Sequence, residues 1–138
     1  MFDAMQAMLV CNTKDLMAGN TTAIADRCQY PMVIQLANRA LPFHSAPDYA
    51  ATMAQLATHM RDDHKVTDIE VRLRAVELPN GGRFRAWATL TYRFAIATPP
   101  RDTQVVYYCR LVDAQIKIEM IEMDCEALPE QPIRGEAA

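Results

Sequence analysis

The side chains able to do chemistry in this sequence are phenols, thiols and three scattered imidazoles, and their spacings assemble no familiar catalytic set. Tyr107 alternates with Val105, Cys109 and Leu111, so a strand here puts its hydroxyl and the Cys109 thiol on one, inward face. A buried phenol can aim a hydrogen bond at a ligand, or satisfy it on backbone or water inside a core. Tyr92 poses the same two readings on a neighbouring strand. Tyr30 stands where a short helix passes into a strand, closing a cavity mouth or plugging it. His44, at the end of a short strand, is the one histidine placed near a cavity rim; an imidazole titrates near pH ~6.5 and can act as acid or base. His59 and His64 are five residues apart and share no helix face, so no metal site is expected. Asp62 and Asp63 are adjacent and diverge at a helix end, and Cys109 has no cationic neighbour to make it a thiolate.

Other chemistries are excluded by absence of their motifs. There is no G-x-S-x-G elbow, no phosphate-cradling glycine loop and no H-E-x-x-H. Cys11, Cys28, Cys109 and Cys125 form no C-x-x-C pair and read as small apolar residues in a reducing compartment. A net charge of −3 without a Lys/Arg cluster argues against nucleic acid. Met1-Phe2-Asp3 does not open a secretory signal, and no apolar run of ~18 residues could span a bilayer. A cytoplasmic protein with no cofactor and no membrane partner is expected.

A chain of 138 residues is one domain by length, drawn here as residues 1–128 with a polar tail over 129–138. Met5, Met8, Leu9, Leu16 and Met17 recur at helical spacing, and Gly19 is a natural stop. Asn20-Thr21-Thr22 can cap a second, short helix through Cys28, before Pro31 and a strand over Met32–Leu36. Asn38-Arg39 turns the chain into Ala40–Phe43. Ser45-Ala46-Pro47-Asp48 starts a third helix whose apolar stripe is Tyr49, Met53, Leu56, Ala57 and Met60. Beyond His64 the period becomes two. Ile69, Val71, Leu73 and Ala75 share one, apolar face, and after the turn Pro79-Asn80-Gly81-Gly82 so do Phe84, Ala86, Ala88, Leu90, Tyr92, Phe94 and Ile96. Thr103–Val112 and Gln115–Met123 form a last hairpin around Asp113-Ala114, with a bulge expected at Met120-Ile121.

This α-α-β-β-α-β-β-β-β order is α+β: N-terminal helices packed on a highly curved, mostly antiparallel sheet. With the Gly19-Asn20 break, the Tyr30-Pro31 exit, the Ser45–Asp48 helix start and the closing Arg110–Met123 hairpin, it resembles the nuclear transport factor 2-like superfamily over residues 3–124. That group includes SnoaL-like polyketide cyclases, ketosteroid isomerase and scytalone dehydratase. The resemblance implies a cystatin-like cone around an apolar cavity. Isomerases of this kind place a tyrosine donor on the first helix, where this chain has Cys11-Asn12, and a carboxylate base at the end of the first strand, where it has Gln35-Leu36. Neither pair abstracts a proton at neutral pH. Their third position, a donor on the penultimate strand, falls at Tyr107. Asn12, Tyr30, His44, Tyr92, Tyr107 and Cys109 are therefore the candidate cavity residues.

The other sheet face would carry Arg72, Arg74, Trp87, Thr89, Thr91, Arg93, Tyr108 and Arg110, a composition found at interfaces. The resemblance implies dimerisation through that face; the alternative is a solvated surface with its arginines paired to Glu70, Glu119 and Glu122. The expected function is a homodimer binding a small apolar or amphipathic molecule in the cone. The alternatives are an isomerase, dehydratase or cyclase using His44, Tyr107 or a water, and a protein-interaction module whose cavity is filled.

Overall fold

The computed structural model describes residues 1–125; the expected tail at 129–138 lies outside the described residues. Three helices, α1 (Phe2–Ala18), α2 (Thr21–Asp26) and α3 (Ala46–Asp62), cover one face of a six-stranded sheet. The strands are β1 (Cys28–Gln35), β2 (Ala40–Phe43), β3 (Val66–Val76), β4 (Arg83–Phe94), β5 (Arg101–Val112) and β6 (Gln115–Met123). Their order across the open sheet is β2-β1-β6-β5-β4-β3. The β1–β6 pair is parallel and every other pair antiparallel. This is the expected α+β architecture.

Local chemistry sets the element ends. Gly19 closes α1 at φ 78, with the Asn20 N–H reaching back to the Asp15 carbonyl at 2.7 Å. Ser45 Oγ accepts from the Asp48 N–H at 3.3 Å and Pro47 lies in the first turn of α3. Gly81 and Gly82 both have positive φ, which lets a two-residue turn close the Asn80–Arg83 bridge at the tip of the β3–β4 connection. The last hairpin makes the same kind of turn with Asp113 and Ala114, at φ 50 and 65.

Five expectations are corrected, the simplest being Ile96, which lies beyond the end of β4 and is 59% exposed. The second helix stops at Asp26, and Cys28 already pairs with Ile118. Pro31 thus lies inside a strand, and it is tolerated because the β1–β6 ladder is interrupted between Cys28 and Val33, where no N–H is required. Asn20 makes no side-chain bond to a helix N–H; its amide turns back to Asp15 instead. Ala75 does not face inward. Arg74 is an extra residue opposite the Leu73–Ala88 and Ala75–Trp87 pairs, and this bulge carries Ala75 to the outer face and Val76 to the inner one. A second bulge, at Glu119 between the Ile118 and Met120 pairings, lies one residue before the expected Met120-Ile121. Such bulges bend and twist the sheet over the helices.

The edge strand β3 is protected by a side chain from α1. Gln6 Nε2 donates to the Val71 carbonyl at 3.2 Å, and Gln6 Oε1 accepts from the Leu73 N–H at 3.0 Å. The amide thereby supplies one donor and one acceptor where a seventh strand would have done so. Deeper in, Met5 and Leu9 are almost fully buried, and Met5 Sδ meets Cys109 Sγ at 4.0 Å. Among the described residues, no helix is long and apolar enough to cross a membrane. Gln6→Leu keeps the size of the side chain but removes both bonds, so it is expected to destabilise the fold by about 1–3 kcal/mol. Urea unfolding should show this as a lower midpoint at unchanged slope.

Candidate functional site

Under α1 and α3 the curved sheet leaves a cavity of about 100 Å³. α1 lines it with Leu9, Asn12, Thr13 and Leu16, which recur on one helix face. α3 adds Tyr49, Met53, Leu56 and Met60 by the same periodicity. The sheet supplies inward residues that include Ile34, Tyr92, Val105 and Tyr107. No lining residue is an acid, a histidine, a cysteine or a basic residue. The lining residues that keep some exposure are Asn12, Thr13, Leu16 and Ile121, so the mouth opens beside the second half of α1.

Polar atoms in this apolar chamber are few. Tyr49 and Tyr107 are 3% and 7% exposed, and neither hydroxyl has a hydrogen-bond partner among the described residues. Burial holds both phenols well above the usual range; the neighbouring Cys28 and Tyr107 add to the shift at Tyr49, and Cys109 to that at Tyr107. Both are neutral hydroxyls at physiological pH. The Tyr49 ring is set by an edge contact with Phe43, centroids 5.0 Å apart at 68°. At the mouth, Asn12 Oδ1 accepts from Arg27 Nη1 at 2.7 Å, and the same guanidinium pairs with Asp15 at 2.8 Å. Thr13 donates its hydroxyl proton to the Val10 carbonyl at 3.0 Å.

The cavity brings together three of the six candidate residues, Asn12, Tyr92 and Tyr107. The other three lie elsewhere. Tyr30 donates to the Ala25 carbonyl at 2.8 Å, which ties its ring across the α2–β1 junction. His44 is exposed between β2 and α3. Cys109 faces inward, but Met5 of α1 covers it. At the end of the first strand it is Ile34 that lines the cavity, while Gln35 donates to the carbonyls of Leu36 and Arg39 at 2.9 and 3.1 Å. Tyr49 and Thr13 were not among the candidates. Tyr49 reads as one member of an apolar stripe, and the only signal distinguishing it is that it is the stripe's single phenol.

The outer face holds a groove of about 590 Å³ bordered by Gln35, Trp87, Gln104, Val106 and Glu122. Of the residues expected to meet a partner there, Thr89 is 2% exposed and donates to Gln104 Oε1 at 2.9 Å, so it is closed off within the chain. Arg74 donates to that same oxygen at 3.0 Å. Arg93 pairs with Glu70 and Asp68, and Tyr108 donates to Glu122 at 2.9 Å. Arg85 is gripped by Glu77 and lies 5.0 Å over the Trp87 ring. Trp87, Val106, Tyr108 and Met120 stay half-buried.

No family model and no curated protein matches this chain. Solved structures do. A domain of unknown function with a cystatin-like fold from Nostoc punctiforme superposes with TM-score 0.71 at 14% identity, over 98% of this chain and 80% of that one. A nuclear transport factor 2-like protein of unknown function from Shewanella oneidensis gives 0.69 at 8% identity, over 89% and 98%. Another such protein with a cystatin-like fold, from Novosphingobium aromaticivorans, gives 0.68 at 11%, over 98% and 86%.

The buried groups make alkaline stability a test of the site. Burial pushes the Cys28 and Cys109 thiols from 9.0 to about 12 and raises both cavity phenols from 10.0. Folded values above unfolded ones mean that the unfolded chain releases these protons first as pH rises. The stability they contribute is complete below about pH 9, then declines through the folded values, more steeply once unfolded phenols ionise near pH 10. Urea midpoints are expected to fall from about pH 9 upward, and Tyr107→Phe should flatten the steeper part of the fall. A wild-type midpoint constant to about pH 11 would contradict the burial of these groups.

Proposed function

On the nuclear transport factor 2-like fold that this chain has, we propose that it is a binding protein for a small, neutral, largely apolar molecule held in the cavity beneath α1 and α3. The observation that carries this reading is the pair of buried hydroxyls, Tyr49 and Tyr107, without partners among the described residues in a chamber lined mostly by apolar side chains. An unmet buried hydroxyl costs about 1–3 kcal/mol, and a void of this size costs roughly 2 kcal/mol in lost packing. An occupant that fills the space and meets the hydroxyls offsets both costs. Size limits the occupant. Drug-sized ligands take roughly 300–1,000 Å³, whereas an apolar void of about 150 Å³ accommodates benzene. A cavity of about 100 Å³ fits one small ring.

Catalysis is the weaker reading. Proton transfer needs a group whose pKa lies near the working pH. The lining residues offer phenols raised by burial and no carboxylate or imidazole. The proposed setting is the cytoplasm, where buried thiols such as Cys28 and Cys109 stay reduced.

We further propose that two copies associate through the outer sheet face. Trp87, Val106, Tyr108 and Met120 form a half-buried aromatic and apolar strip across β4, β5 and β6, edged by paired arginines. Aromatic residues, Met and Arg are the types enriched in interfaces.

Methyl NMR with cyclohexanone as the probe tests the binding reading. Shifts are expected at the methyls of Leu9, Ile34, Met53 and Met60, with a Kd on the order of 0.1–1 mM for so small a molecule. Leu56→Phe fills the chamber and should abolish the shifts while the fold remains. Failure of the probe to perturb those methyls would count against the site. For association, sedimentation equilibrium is expected to give twice the 15.5 kDa chain mass, and Trp87→Glu to return it to one.

A further inference from the structure

The mouth of the cavity contains an amide whose orientation is decided by its neighbour. Arginine carries donors only, so the Asn12 atom that Arg27 Nη1 contacts at 2.7 Å must be the carbonyl oxygen. Asn12 lines the cavity, and with Oδ1 engaged its one remaining polar atom is Nδ2, which has no partner among the described residues. Without Arg27 the amide could turn either end to a ligand. With Arg27 in place only N–H groups are on offer. Arg27 is itself held by Asp15 at 2.8 Å on the same face of α1, so two residues of one helix fix the guanidinium at the α2–β1 junction.

We infer that Arg27 is a positioning residue that turns the Asn12 amide nitrogen toward the cavity, so that the site selects neutral hydrogen-bond acceptors, ketone or aldehyde carbonyls on a single ring. The inference rests on the binding reading above and names its ligand class. Of the polar groups around the chamber, Asn12 Nδ2 can only donate, whereas the Tyr49 and Tyr107 hydroxyls can donate or accept and Thr13, its proton spent on Val10, presents lone pairs alone. A carbonyl oxygen satisfies such a set. A ligand with only N–H donors leaves Asn12 Nδ2 facing another donor, which the site penalises strongly because the groups are desolvated. Carboxylates are disfavoured for a different reason. The Arg27 charge is already matched by Asp15, so a second anion would be buried without a counter-charge.

The test compares cyclohexanone, which only accepts, with aniline, a ring of equal heavy-atom count that is neutral at pH ~7.5 and acts mainly as a donor. Kd values are read from the same methyl NMR titration. In the wild-type protein cyclohexanone is expected to bind about tenfold tighter. In Arg27→Met, which keeps the apolar stem and frees the amide to turn, the ratio should fall to within about threefold. Arg27→Lys still offers only donors to Asn12 Oδ1 and should restore most of the preference, which a merely structural role for the guanidinium would not predict. Asn12→Asp keeps the side-chain shape but exchanges the amide nitrogen for an acceptor oxygen, and should reverse the preference in favour of aniline; this variant decides the matter if Arg27→Met does not fold. Equal binding of the two probes by the wild type, or an unchanged ratio in Asn12→Asp, overturns the inference while leaving the cavity as a binding site. Failure of both probes to bind removes the binding reading and the inference together.

Discussion

The interior of this protein depends on where α1 lies. The helix has no side-chain cap at its N-terminus, and only Met5 and Leu9 on it are buried. Polar contacts at two points along its length hold it instead. Near its start Gln6 completes the hydrogen bonding of the β3 edge, and in its second half Asn12 and Asp15 grip Arg27 at the α2–β1 junction. Between those anchors the helix spans the curved inner face without filling it, and the unfilled part is the cavity. A helix held by apolar packing alone would be free to settle until the void closed, since lost contacts are costly.

Curvature is the second half of the same constraint. Bulges at Arg74 and Glu119 bend the strands, and the residues around them sort accordingly into the buried inner face and the outer one. The inner face is almost wholly apolar, so each polar atom left on it matters. Tyr49 from α3, Tyr107 from β5 and, at the mouth, Asn12 from α1 all line the chamber. The proposed recognition of a small acceptor follows from three donors carried on three separate elements, none of which would be near the others in an unfolded chain.

The outer face obeys different physics. Its ion pairs, Arg93 with Glu70 and Asp68, Arg83 with Glu119 and Arg85 with Glu77, are solvent-exposed, so each contributes little to stability. They instead fix where the arginine heads lie and leave a strip of Trp87, Val106, Tyr108 and Met120 between them. The arginines bond within the chain, and the strip they leave between them is the surface proposed above for association.

Much of the architecture was legible in the residues taken in order. The Ser45-Ala46-Pro47-Asp48 start, the Gly19 stop, the Gly81-Gly82 turn and the alternation of Phe84 to Tyr92 are all signals that act within a few residues, through capping, backbone freedom and side-chain period. Strand parity alone points Tyr92 and Tyr107 inward, and the lining contains both, whereas the same parity also selects Cys109, which it does not contain. What parity could not supply was decided by contacts between residues far apart in the chain. The extra residue at Arg74 shows only in the β3–β4 register, the Gln6 bonds join positions more than sixty residues apart, and Cys109 is denied the cavity by Met5 from the opposite end of the chain. Composition and local spacing determine which elements form and which faces they bury; the register between strands, the seat of α1 and the polar atoms left facing the void exist only once the chain has folded, because each requires partners that sequence distance keeps apart.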